Sequence, residues 1–208
     1  MKSTLYTVCV DNYLPDLMQY TLPNLERYAK RCGMDFKIID QRRFPEFPPT
    51  YEKLQIHELG KDNEWNLLVD ADTMIHPQLV DLRSLVSPDS VGANLEYDAT
   101  LFFEPDEYFF RDGRRIGLVS NLMVTHRLVH DLWTPLDMSV EEAKKRCSKR
   151  WFIVDEYCLS RNLARYGLKR GGLVSGSQEW VRHFDVTSSS MNLSEVIQEA
   201  ERLSREWT

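Results

Sequence analysis

The chain has 208 residues, 42% hydrophobic and 28% charged, with a formal net charge of −6. That length can bury a sizeable core, and the composition is that of an ordinary folded protein. The acidic balance argues against a nucleic-acid partner, which calls for a basic surplus.

Residues 5–10 are β-branched and aromatic and predict a first strand, ending at Asp11-Asn12-Tyr13. Leu17, Tyr20, Leu25, Tyr28, Ala29 and Cys32 recur at roughly helical spacing, broken at Pro23. This predicts two short helices or one kinked helix, with Gly33 as the stop. Residues 36–40 predict a second strand, so the chain opens β-α-β, an arrangement that binds mononucleotides. Residues 41–49 are rich in Arg and Pro and read as a loop. Thr50 can cap a helix over 51–59, which Gly60 ends. Lys53 falls in its first turn, where a cation opposes the helix dipole; either another interaction holds it there or it is a solvated lysine.

Leu67-Leu68-Val69 is a short apolar run of the kind that forms a fully buried strand. It ends in Asp70-Ala71-Asp72. Aspartate is a poor strand residue, so the pair marks the carboxyl edge of a sheet, where ligands bind in open α/β folds. Two carboxylates with one spacer can reach a divalent metal, and hard oxygen ligands suit Mg²⁺ or Mn²⁺; the alternative is a solvated strand-to-loop turn in which the acids are turn formers. A metal of this kind reconciles an acidic chain with a phosphate-bearing ligand.

Residues 91–95 predict a strand, and 96–115 an irregular, acidic and aromatic stretch. Phe102, Phe103, Tyr108, Phe109 and Phe110 in it can pack a loop onto the core or line an acceptor site. Residues 116–125 read as a strand with Ser120-Asn121 in its middle, polar groups that need partners and can face a ligand. Ser139, with Glu142 as a capping box, predicts a helix to residue 149. A further helix is expected over 154–166, closed by Gly167, with Asp155 and Glu156 in its first turn. A glycine-rich turn at 171–176 leads to Trp180-Val181-Arg182-His183-Phe184. Asn192 and Glu195 form a capping box for a terminal helix with Leu193, Val196, Ile197, Ala200 and Leu203 as its apolar stripe.

Cys9, Cys32, Cys147 and Cys158 include no C-x-x-C pair, so neither a zinc site nor a disulfide framework is indicated. Reduced thiols in a cytoplasmic setting are expected. The N-terminus lacks a signal-peptide h-region, and no apolar run approaches membrane-spanning length. The chain is also compatible with being part of a longer multidomain protein.

In order along the chain, these features resemble the GT-A class of nucleotide-sugar glycosyltransferases, and within it the glycogenin-like retaining enzymes. Thr7-Val8-Cys9-Val10-Asp11-Asn12-Tyr13 is similar to the uridine-binding opening of that class. Lys53-Leu54 resembles its helix-borne lysine, residues 67–73 its DxD strand, and Arg182-His183-Phe184 its late histidine motif. Asn121 stands where the family has an asparagine followed by glycines, although Leu122-Met123 follow here. Asp155-Glu156 resembles an acidic pair beside the sugar that the family commonly writes Asp-Gln.

The resemblance implies an α/β chain, residues 1–208, forming one GT-A (Rossmann-like) domain with a mixed, mostly parallel sheet flanked by helices. Residues 1–95 would be its nucleotide-binding half, 96–190 its sugar and acceptor half, and 191–208 a C-terminal helix. It also implies transfer from a UDP-sugar to the hydroxyl of a glycan or protein-glycan acceptor, with retention. Asp70, Asp72 and His183 would hold Mn²⁺, with Mg²⁺ as the alternative. Val8, Val10, Asp11, Tyr13, Lys53, Ala71 and Asn121 would line the donor, Tyr13 by stacking on the base. Asp155 would face the sugar as nucleophile, as stabiliser of positive charge or as a positioning group. In an inverting enzyme Asp155 or Glu156 would be the general base. Two other chemistries use an acid pair after a buried strand. One is a haloacid-dehalogenase-type phosphatase with Asp70 as nucleophile, although Met74 replaces its usual Thr or Val. The other is a sugar-phosphate nucleotidyltransferase, although its glycine-rich basic loop is missing after the first strand.

Overall fold

The computed structural model describes residues 2–93, 96–104, 115–147, 150–173, 180–184 and 192–207. Strand β1 (Ser3–Val8) is buried along almost its whole length, as expected of a strand covered on both faces. Helix α1 (Pro15–Arg31) follows as one continuous helix with Pro23 inside it. Its buried face of Leu17, Met18, Leu25, Tyr28 and Ala29 holds it against the sheet. Gly33, at φ 65°, turns the chain into β2 (Asp35–Ile39).

The helix expected over 51–59 is instead a 3₁₀ turn, Pro49–Gln55, running into the single α-turn α2 (Ile56–Leu59). Residues three apart eclipse in a 3₁₀ turn, and here Gln55 Nε2 donates to Glu52 Oε2 at 2.7 Å. Strands β3 (Trp65–Val69) and β4 (Thr73–Ile75) flank the Asp70-Ala71-Asp72 corner. Then come β5 (Ser90–Ala93), β6 (Glu96–Asp98), β7 (Ile116–Leu118) and β8 (Leu122–His126).

The single strand expected over 116–125 is therefore two strands in different sheets. The break falls at Ser120-Asn121, where Ser120 turns its polar groups to long-range partners described below. Helix α3 (Val140–Arg146) is shorter than expected. Ser139 caps it by accepting from Glu142 N, while the Glu142 carboxylate pairs with Arg146 rather than completing a box. Helix α4 (Val154–Arg165), β9 (Lys169–Gly172), β10 (Val181–His183) and α5 (Leu193–Glu206) complete the order. The Asn192/Glu195 capping box of α5 is present in both halves. Tyr108, Phe109 and Phe110 lie outside the described residues.

The central sheet has six strands in the order β2-β1-β3-β8-β5-β9. β1 is parallel to β2 and β3, and β5 is parallel to β9. Only β8 runs against its neighbours β3 and β5. The sheet is thus mixed and mostly parallel, with helices on both faces. Alternation along the strands divides two apolar layers: Leu5, Leu67 and Val69 pack with α1, whereas Tyr6, Leu68 and Met123 pack with Tyr51, Leu54, Trp133 and α4.

The corner after β3 has its own supports. β10 pairs antiparallel with β4, setting His183 opposite Thr73. Phe184 N donates to Asp72 O at 2.8 Å. Ala71, Met74 and Phe184 join Leu17 and Met18 of α1 and Val196, Ala200 and Leu203 of α5 in a third apolar cluster. On the other side the buried Asn24 of α1 stands in for a neighbouring strand. Its Nδ2 donates to Ile75 O at 3.0 Å and its Oδ1 accepts from Ile75 N at 2.7 Å. Asn24→Ala strips both partners from a buried backbone pair and is expected to cost roughly 2–4 kcal/mol in denaturant unfolding.

Candidate active site

The parallel strands place their carboxyl ends on one edge, and the residues following β1 and β3 emerge there. Asp70 ends the β3–β8 ladder, donating its N–H to Asn121 O at 2.9 Å. Asp70, Asp72 and His183 each offer a ligand atom, and these atoms lie within 4.8 Å of one another. His183 Nε2 is 3.2 Å from Asp72 Oδ1 and 3.8 Å from Asp70 Oδ2. All three side chains keep some exposure: 23%, 10% and 29% respectively. Burial, reinforced by the Asp72 charge, holds the Asp70 carboxyl above the usual carboxylate range even though Lys53 pulls it down. Two clustered carboxylates and an imidazole form a donor set that fits a divalent cation, and the nitrogen ligand favours Mn²⁺ over Mg²⁺.

Lys53 is the second centre. Its residue is only 4% exposed. Nζ lies 2.8 Å from Asp70 Oδ1 and 3.1 Å from Asp155 Oδ2, and it donates to Ser120 Oγ at 2.9 Å. Burial alone would push the ammonium toward neutrality, but the Asp155 and Asp70 carboxylates outweigh it and hold the pKa above the usual lysine value. The expected first-turn position does not occur: Lys53 lies in the last turn of the 3₁₀ helix, so no helix dipole opposes it there, and these acceptors are what hold its ammonium in place. Ser120 Oγ passes its own hydrogen to Asp155 Oδ2 at 2.7 Å, and Ser120 N donates to Glu156 Oε1 at 3.2 Å. Tyr97 OH donates to Glu156 Oε2 at 3.0 Å. Burial and the adjacent Asp155 charge push the Glu156 carboxyl up to about 7. Asp155 is 1% exposed, and its Oδ1 has no hydrogen-bond partner among the described residues. Both acids sit in the first turn of α4, where the helix dipole favours negative charge.

Of the residues expected to line the donor, Tyr13, Ala71 and Asn121 adjoin the Asp70–Asp72 corner. Val8 ends β1 and Val10 is buried. Ala71 is packed into the third apolar cluster. Asn121 touches Asp70 through its backbone, and its buried Oδ1 has no partner among the described residues. Tyr13 is 38% exposed, and its hydroxyl donates to Asp72 Oδ2 at 2.9 Å. Asp11 binds Arg42, with Nη1 to Oδ2 at 2.6 Å. Sequence reasoning passed over Arg42, Glu52 and Tyr97. Arg42 lies in a stretch legible only as a loop, and Tyr97 and Glu52 carry no local signal.

No protein-family model matches the sequence, and no curated protein sequence matches it. Solved structures do match. A glycosyltransferase involved in glycosylation of the major capsid of PBCV-1 superposes with a TM-score of 0.55 at 11% identity, covering 97% of this chain and 100% of that chain. The galactosyltransferase LgtC, solved with donor and acceptor sugar analogues, gives 0.52 at 12% identity, covering 99% and 96%. The glycosyltransferase GlyE of Streptococcus pneumoniae TIGR4 gives 0.50 at 12% identity, covering all of this chain and 63% of that one. The chain has the GT-A fold of nucleotide-sugar glycosyltransferases.

Proposed function

We propose that this protein is a metal-dependent glycosyltransferase that moves a sugar from a UDP-sugar to an acceptor hydroxyl on a glycan or protein-glycan, with retention. The observation that carries the reading is the junction at Lys53. One ammonium touches both a member of the candidate metal cluster, Asp70, and the buried carboxylate Asp155. A diphosphate leaving group and the sugar it leaves need these two kinds of group side by side.

Asp70, Asp72 and His183 would hold the cation, Mn²⁺ in preference to Mg²⁺. Bound there, it would neutralise charge on the diphosphate as the glycosidic bond breaks. Asp11, Tyr13, Asn121 and the backbone at Val8, Val10 and Ala71 would bind the nucleoside and phosphates. Lys53 adds fixed positive charge between the phosphate and sugar ends. Asp155 would face the sugar as nucleophile or charge stabiliser. Glu156, near neutral ionisation beside it, keeps the pair from carrying two full charges. The fold neighbours are glycosyltransferases, which disfavours the phosphatase and nucleotidyltransferase readings. Among the described residues no helix is long and apolar enough to cross a membrane.

Calorimetric titration of UDP with and without Mn²⁺ tests the assignment. Binding is expected to require the metal, and Asp72→Ala is expected to weaken it by more than the roughly 10–100-fold that loss of a group supporting a metal ligand costs. Binding that ignores Mn²⁺ contradicts it. His183→Ala should reduce Mn²⁺ affinity while leaving the unfolding midpoint near that of the parent; unchanged metal affinity removes His183 from the site. Glu156 supplies a pH test. Its carboxyl ionises near 4.5 when unfolded and near 7 when folded, so the folded state loses stability as pH rises through that window. Relative to Glu156→Gln, the parent should lose roughly 3 kcal/mol of unfolding free energy across it. Parallel stability–pH curves for the two proteins would contradict this.

A further inference from the structure

The loop after β1 is held in an unusual backbone conformation. Asp11 has φ 57°, Asn12 φ 55° and Leu14 φ 39°. Left-handed geometry is tolerated by Asp and Asn but is strained for Leu, so the surroundings must impose it. Two polar clamps do so. At one end Tyr13 OH is bonded to Asp72. At the other Arg42 grips Asp11 at 2.6 Å.

Arg42 is itself tightly fixed. Its Nε donates to Glu52 Oε1 at 2.9 Å, and its Nη2 reaches the carbonyls of Phe44 and Pro45, each at 3.4 Å, and that of Phe47. Glu52 is 0% exposed and also accepts from Arg43 N, Phe44 N and Gln55 Nε2. An isolated pair with an aspartate as exposed as Asp11 would contribute little. A guanidinium whose fork is already immobilised loses little entropy in holding one. Glu52 adjoins Lys53 on the same 3₁₀ turn. That turn therefore anchors both the reaction centre and, through Arg42, the loop after β1.

We propose that Arg42 is a positioning residue for the nucleobase end of the donor, acting through Asp11. It holds the loop in the left-handed form and leaves the Asp11 carboxylate aimed as an acceptor for a base N–H. This rests on the UDP-sugar reading above. The matching ligand class is a nucleotide whose base offers an imide or lactam N–H.

The test compares UDP with inorganic pyrophosphate, which lacks the base, each with Mn²⁺. Arg42→Met leaves Glu52 three other donors. It is expected to weaken UDP binding about tenfold while changing pyrophosphate binding less than about twofold. In an Asp11→Asn background the same substitution should cost less than about twofold, because its route is already cut. Arg42→Lys keeps a cation beside Glu52 but has no fork, and should show the same selective loss. Equal losses for UDP and pyrophosphate, a full tenfold loss in the Asp11→Asn background, or undiminished UDP affinity in both Arg42 variants overturns the role of Arg42. Parent protein that binds pyrophosphate but not UDP overturns the UDP-sugar reading as well.

Discussion

A buried ammonium persists only if carboxylates or other acceptors replace its water. At Lys53 that replacement is supplied by three separate parts of the chain: Asp70 after β3, Ser120 before β8 and Asp155 at the start of α4. The central sheet must bring these elements to one edge for the lysine to be buried at all. The antiparallel placement of β8 between β3 and β5 matters here, because it delivers Ser120 and Asn121 to the edge where β3 ends. Removing Lys53 would leave the Asp70 and Asp155 carboxylates without the cation between them, so the network ties folding of the sheet edge to integrity of the site.

Around that centre the supports are graded. The Asp70–Asp72 corner is clasped by β10, by the Asn24 amide and by the apolar cluster under α5. These rigid contacts fix the groups that would meet a metal and diphosphate. The loop at Asp11–Leu14 depends instead on two polar clamps and carries backbone strain. Charge at the site is reduced but stays negative, with Asp70, Asp72 and Asp155 set against one ammonium. Lys53 faces two acids, and Glu156 is held near neutral ionisation by burial and by Asp155.

Much of this was legible in the residues because the relevant signals are local. The run Leu67-Leu68-Val69 reads as a buried parallel strand, the acids after it as a sheet edge, and Asn192 with Glu195 as a helix start. The remainder was hidden because it depends on contacts between residues far apart in the chain. Ser120 breaks an apparently continuous strand since its hydroxyl and N–H serve Lys53, Asp155 and Glu156. Residues 51–59 carry helix-like signals, yet buried bonds from Glu52 and Lys53 to distant partners favour the tighter 3₁₀ turn. Tyr13 was expected against the base, and no local pattern reveals that its hydroxyl reaches Asp72. Tyr97 and Arg42 likewise have meaning only once their acidic partners are in place.

If the edge organised by Lys53 is a metal-dependent donor site, manganese and UDP must meet there. Anomalous diffraction at the manganese edge from crystals grown with Mn²⁺ and UDP tests it most directly. An anomalous peak is expected within coordination reach of Asp70, Asp72 and His183, with the diphosphate of UDP against it and the base beside the Asp11–Leu14 loop. UDP bound at that edge with no manganese beside it, or manganese held by other residues, would rule out a metal-dependent donor site there.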